Sequence, residues 1–261
     1  MNQLERSYYD EDAEFMTTMP PILTQPAHVG RSGEMLNLGG FQLFVDTLNY
    51  DPAIITALRQ QSYESNEFRL VKKWLQPTDR VIEGGTAIGV ISMAAASIVG
   101  APHVMTFDAN PAIVADAQAN FANNGLSGIQ ARAGILKNRQ HIEANNPAVD
   151  FFISREFWRS RLSQGEDHAD IVAKISVSVF CLEDEIARHN ANVIICDIEG
   201  GEVDLFDGAD LSAIRLIIVE THDWLTGLPA VDALVRRLVF AGFTIDVRDS
   251  GNNVAVFRRV A

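Results

Sequence analysis

Val81-Ile82-Glu83-Gly84-Gly85-Thr86-Ala87-Ile88-Gly89 is the stretch on which the reading of this 261-residue chain turns. A short β-branched run stops on an acid, the backbone turns through two glycines, and an Ala-rich helix is expected over residues 88–99. Strand, glycine turn and helix start are how open α/β sheets hold nucleotide-like ligands at the carboxyl ends of their strands. Gly85 is expected to let the backbone approach the ligand where a Cβ would intrude. Glu83 offers an acceptor to an ammonium or hydroxyl group. A dinucleotide fingerprint needs glycines at the first, third and sixth places. Counted from Gly84 the third place is Thr86, and counted from Gly85 it is Ala87, so the spacing argues against a nicotinamide dinucleotide.

Downstream, strands and helices alternate. Val104-Met105-Thr106-Phe107 runs into Asp108, and a helix follows with Asn110 as its cap and Pro111 in its first turn. Gly125, after Asn123-Asn124, suits a left-handed helix end, and a third strand is expected within Gly128 to Ala133. Asn192-Val193-Ile194-Ile195-Cys196 is apolar on both faces, as an interior parallel strand should be. It ends in Asp197-Ile198-Glu199-Gly200-Gly201-Glu202, and Leu216-Ile217-Ile218-Val219 likewise ends in Glu220-Thr221-His222. A helix over residues 229–241 places Val231, Leu234, Val235, Leu238 and Val239 on one face. The strands Phe243 to Val247 and Val254 to Phe257 are joined by so short a turn that only antiparallel pairing is open to them. The expected fold is α/β and Rossmann-like: a mostly parallel sheet with an antiparallel C-terminal hairpin strand and helices on both faces.

Two regions are less regular. Residues 1–50 read as an N-terminal arm or lid with an edge strand at Gly40 to Val45, ahead of one domain over residues 51–261. Helices are expected between Pro52 and Trp74, broken near Ser62, and an insertion near residues 134–173. Phe151 to Ser154 and Ile175 to Phe180 read as strands, and Leu182 to His189 as a short amphipathic helix. The apolar runs are shorter than the ~20 residues of a spanning helix, and no basic segment followed by an apolar one marks a secretory leader. With two cysteines, Cys181 and Cys196, a reducing cytoplasm is the expected compartment. A formal net charge of -13 would repel a polyphosphate. Arg155, Arg159 and Arg161 are too sparse to reverse that. No nucleic acid and no membrane is therefore expected as partner, but a small-molecule or glycan acceptor, with a homo-oligomer left open.

From Tyr63 to His222 the chain resembles the FkbM family of S-adenosylmethionine (SAM)-dependent O-methyltransferases, which have the class I methyltransferase fold. The resemblance rests on Tyr63-Glu64-x-x-Glu67, on Val81 to Gly89, on Phe107-Asp108-Ala109-Asn110-Pro111, on Phe157-Trp158-x-Ser160, on Asp197-Ile198-Glu199-Gly200-x-Glu202 and on Ile218-Val219-Glu220-x-His222. It implies a methyl transfer from SAM to a hydroxyl of a saccharide or natural product. The cofactor would lie against Glu83, Gly84, Gly85, Thr86, Ile88, Gly89, Asp108 and Ala109, with Tyr63, Glu64 and Glu67 closing over it. Asp108, 23 residues after Gly85, stands where an acid accepts hydrogen bonds from ribose hydroxyls in related nucleotide folds. Trp158 and Ser160 would roof the acceptor.

In a parallel sheet the ends of neighbouring strands lie side by side, so Asp197, Glu199, Glu220 and His222 are expected to share one pocket. His222 or Asp197 would be the base, with Glu199 and Glu220 positioning the acceptor. Binding of Mg²⁺ through Asp197 and Glu220 is the less favoured reading. Glu202 reads as a first-turn helix acid. The chain departs from the family at Ala87, where Asn is usual, and at Ala133-Gly134-Ile135-Leu136, where an acid often marks the adenine pocket. These departures motivate the alternative of a catalytically inactive SAM-fold binding or assembly protein.

Overall fold

The computed structural model describes residues 33–48, 50–143, 148–154 and 171–259. Its elements begin with the hairpin β1 (Glu34–Leu38) and β2 (Phe41–Val45), then α1 (Pro52–Arg59) and α2 (Ser65–Trp74). There follow β3 (Val81–Gly84), α3 (Val90–Val99), β4 (Val104–Asp108), α4 (Pro111–Asn123) and β5 (Gln130–Ala133). Next come β6 (Ile135–Lys137), β7 (Ala148–Ser154), β8 (Ile171–Cys181), α5 (Leu182–His189), β9 (Val193–Cys196) and α6 (Glu202–Leu205). The remaining elements are β10 (Leu216–Glu220), α7 (Asp223–Thr226), α8 (Leu228–Phe240), β11 (Phe243–Ile245) and β12 (Val254–Arg259).

Seven strands form the central sheet in the order β11-β12-β10-β9-β3-β4-β5. β5, β4, β3, β9 and β10 are parallel, and β12 runs antiparallel between β10 and β11. Side chains alternate between two cores. Val81, Val193, Ile195, Leu216 and Ile218 face α2, α3, α4 and the hairpin. Ile82, Ile194, Cys196, Ile217 and Val219 face α5, α6 and α8. With both faces covered, the interior strands are apolar from Val193 to Cys196 and from Leu216 to Val219, and each such side chain contributes about 1.5–3 kcal/mol by leaving water. Asn110 caps α4 as expected, its Oδ1 accepting from Ala112 N–H at 3.0 Å.

Three local expectations need correction. The strand expected at Gly40 to Val45 does not extend the main sheet; β2 pairs with β1 alone. Its outer backbone is met by asparagines at the end of α4: Phe44 N–H donates to Asn120 Oδ1 at 2.8 Å and Gln42 N–H to Asn124 Oδ1 at 2.9 Å. Leu38, Phe41, Leu43 and Val45 thereby enter the same core as the sheet. On α8, Leu234 and Leu238 are fully buried, but Val239 is 48% exposed because it has rotated off the core face. The segment read as an insertion contains its own three-stranded sheet, β6-β8-β7. Phe151 and Val177 of that sheet pack on Ala109, just beyond β4, so the small sheet covers one end of the crevice.

Candidate functional site

The crevice lies over the carboxyl ends of β3, β4 and β9, beside the point where strand order reverses, which is where open α/β sheets bind ligands. It holds a cavity of about 460 Å³, within the ~300–1,000 Å³ usual for small-molecule sites. Gly84, Gly85 and Ala87 line it from one strand end, Asp108 and Ala109 from the next, and Asp197 and Glu199 from the third.

Gly85 is required for a reason beyond the one its position suggests. It has φ +93°, and a Cβ there would meet the Asp197 carbonyl oxygen at 1.7 Å. Its N–H donates to Phe107 O at 2.8 Å, and Asp197 N–H donates to Gly84 O at 2.9 Å. The glycine thus fits one strand end against another. Gly89 is also a packing glycine, with φ +90° and the Phe121 ring 2.3 Å from where its Cβ would stand. Ile88 is fully buried in the core and the Thr86 hydroxyl pairs with that of Thr106, so these three shape the loop from behind and do not line the large cavity.

Ala87 holds Asp108. With φ +43°, its N–H donates to Asp108 Oδ2 at 3.1 Å, while Asn110 N–H donates to Oδ1 at 2.9 Å. Burial nonetheless raises the Asp108 carboxyl to about 6, the two backbone bonds lowering it only in part. The remaining lone pairs are available to hydroxyl donors in the cavity.

Glu83 is 2% exposed and accepts from the Ser92 hydroxyl. Burial raises its carboxyl to about 7. It opens on a second cavity of about 10 Å³, the space of one water, rather than on the large one. Glu64, Glu67, Asp197 and Glu220 converge on the same small space. Tyr63 and Glu64 line the large cavity as well, whereas Glu67 does not. Trp158 and Ser160 lie outside the described residues.

His222, expected as a base, is held among carboxylates. Its side chain is 2% exposed, Nδ1 lies 3.2 Å from Glu202 Oε1, and Nε2 lies 3.3 Å from Asp197 Oδ1 and 3.4 Å from Glu199 Oε2. Burial alone would lower its pKa, but the carboxylates of Asp197, Glu202 and Glu199 overcome that and raise it to about 10. The ring is an imidazolium with no lone pair to accept a proton. Glu202, fully buried in the first turn of α6, also accepts from the His222 backbone N–H at 3.0 Å. Around this cation burial raises Glu199 to about 7, with the charge of Asp197 adding to the shift. Burial likewise raises Glu220 to about 8, again with Asp197 as the next contributor. Asp197, Glu220 and His222 each bring one ligand-type atom within 4.8 Å of the others, but both nitrogens of the ring are turned to carboxylates.

Sequence reasoning missed Lys137, His141, Phe151, Asp204 and Leu225, which all line the large cavity. Lys137, His141 and Phe151 sit in the stretch with the weakest patterning. Leu225 follows a strand end by five residues, and that proximity is a usable signal.

The sheet order, the acid at the end of β4 and the glycine turn after β3 together define a class I SAM-dependent methyltransferase. The chain belongs to the FkbM methyltransferase family: the Methyltransferase FkbM domain matches residues 83–244. None of the curated proteins compared with it matches the sequence. Among solved structures, a ribosomal-protein methylase from Lactobacillus delbrueckii subsp. bulgaricus is 15% identical with a TM-score of 0.44, covering 77% of this chain and 80% of that one. A precorrin-6y methyltransferase from Geobacter metallireducens is 10% identical with a TM-score of 0.46, covering 81% and 92%. An O-methyltransferase from Bacillus cereus in complex with S-adenosylhomocysteine (SAH) is 14% identical with a TM-score of 0.40, covering 75% and 79%. Among the described residues no helix is long and apolar enough to cross a membrane.

The residues present fit SAM. Asp108 is oriented by two backbone donors for a diol, and the cavity has the volume for a nucleoside. Glu64 and Asp197 line both cavities. Ala87, the departure that suggested lost function, keeps the backbone contact that holds Asp108.

Proposed function

We propose that the protein is an O-methyltransferase acting on a hydroxyl of a saccharide or natural product, with Glu199 as the general base. The observation that carries this reading is a carboxylate that lines the cavity, is 28% exposed and titrates at about 7, held 3.4 Å from a buried imidazolium. A hydroxyl is a poor nucleophile until its proton leaves, and a base is most effective with a pKa near the working pH. Asp108 would hold the ribose hydroxyls, and Glu64, which lines both cavities, would face the ammonium end. Ala109, under the small sheet, would bound the adenine side.

Bound SAM supplies a methyl carbon already activated on a sulfonium. The chain's part is then to align the acceptor oxygen with it, worth most when the groups are held at near-attack distance, and to take up the proton at Glu199 Oε. His222 keeps its proton throughout and fixes Asp197, Glu199 and Glu202 around itself. An anionic rim disfavours phosphate-bearing acceptors such as nucleic acid, and the chain's net charge of -13 acts in the same direction.

Two measurements test the site. Asp108→Ala is expected to weaken SAH binding by about 10–100-fold in calorimetry, the worth of hydrogen bonds to a charged acceptor. An affinity within threefold of wild type would remove its ribose role. Because both ring nitrogens of His222 are turned to carboxylates, dialysis against a chelator is expected to leave turnover unchanged. A loss restored by Mg²⁺ would instead make Asp197, Glu220 and His222 a metal centre.

A further inference from the structure

We infer that Trp224, Leu225 and Leu228 form an acceptor-recognition shelf, and that the acceptor carries an apolar framework next to the hydroxyl that is methylated. This deepens the O-methyltransferase reading and rests on it. The three side chains fall within five residues of chain, on α7 and the first residue of α8, and are 59%, 55% and 65% exposed. Large apolar groups clustered in this way mark a contact surface.

Its position says what covers it. Leu225 and Thr226 line the large cavity. A Cβ on Gly200 would come within 3.6 Å of Leu225 Cβ and 3.3 Å of Thr226 Cγ2, so α7 abuts the residue following Glu199. The Trp224 ring meets His222 edge-on with centroids 4.9 Å apart, and His222 in turn touches Asp197 and Glu199. The shelf is therefore continuous with the proposed reacting centre. An acceptor seated with its hydroxyl at Glu199 would extend over it.

A second copy of the chain is a poorer occupant. Three side chains, even wholly covered, contribute a few hundred Å², against roughly 800 Å² per partner in a stable interface. The other exposed aromatic of this region, Phe240 at 88%, stands at the far end of α8. At 1.5 Å per residue that is about 18 Å from Leu228, too far to enlarge the patch. A freely soluble saccharide would leave the shelf wet. An alcohol borne on an apolar framework would cover it.

Octyl β-glucoside and methyl β-glucoside carry the same ring hydroxyls and differ in apolar length. Their binding to the full chain is to be measured by calorimetry in the presence of SAH, below the micelle concentration. The octyl compound is expected to bind at least roughly tenfold more tightly, and the double variant Trp224→Ser, Leu228→Ser to bring the two within about twofold while SAH affinity stays unchanged. Equal binding of the two by the wild type, no binding of either, or a preference that survives the double substitution would overturn the shelf. So would a dimer seen by sedimentation that dissociates in the variant. Consumption of SAM with a panel of alcohols reports separately on the O-methyltransferase reading, because the glucoside comparison reads binding alone.

Discussion

Replacing Glu199 by Gln is expected to lower turnover by about 10²–10⁴-fold, the usual worth of a positioned general base, while SAH affinity stays within about threefold of wild type. Gln keeps the length of the side chain and an oxygen to face His222 Nε2, so the variant tests proton uptake rather than shape. The wild-type rate at saturating substrates is expected to rise with pH through about 7, as Glu199 loses its proton, and the Gln variant to lose that rise. Wild-type turnover in Glu199→Gln, or a rate indifferent to pH between 6 and 8, would move the base elsewhere, with Asp197 the next carboxylate to examine. The backbone at Glu199 adds weight to the choice. Its φ of +49° is uncommon for a side chain of this size, and such conformations gather at functional sites.

His222→Leu is expected to be the most damaging substitution to stability, at about 3–5 kcal/mol. Removing one partner of a buried ion pair leaves the others without compensation. Here Asp197, Glu199 and Glu202 all lie within 3.4 Å of the ring. For a chain of this size that corresponds to a fall in Tm of about 6–20 °C. The loss should be smaller near pH 5, where the orphaned carboxylates can protonate, than near pH 8.

The wild-type apo protein has a pH dependence of definite sign. His222, raised from 6.5 to about 10, contributes stability that is fully present below about 6.5 and lost as pH rises through about 10. Glu199 and Glu220, raised from 4.5 to about 7 and about 8, act in the same direction between 4.5 and 8. In each case the folded state binds more protons, so stability falls as pH rises. Thermal melts between pH 5.5 and 9 check this: a Tm that rises over the range would show that the ring is neutral in the folded protein.

How much of this the sequence discloses depends on how local the cause is. The interior strands β9 and β10 are legible because each is buried on two faces, which leaves an unbroken apolar run such as Val193 to Cys196. Their ends are legible because acid and glycine follow at once. The grouping of Asp197, Glu199, Glu220 and His222 is legible too, since adjacency of parallel strands requires it. The charge on His222 is not. It is set by side chains from the loop beyond β9 and from α6, and no spacing in the chain records three carboxylates converging on one ring. The small sheet is hidden for a different reason: over β7 only Phe151 and Ser154 are buried, too few to give a period. The reason for Gly85 is equally non-local, because the atom it avoids belongs to residue 197.

That contact between Gly85 and the Asp197 carbonyl has a bearing on how the enzyme could be redesigned. The spacing between the donor loop and the loop bearing the proposed base is set by main-chain atoms rather than by side chains. The α7 segment, by contrast, meets that frame through side chains, Leu225 and Thr226 along Gly200 and Trp224 against His222. A different α7 could therefore be grafted after His222 to present another recognition surface while the spacing of the two loops is kept.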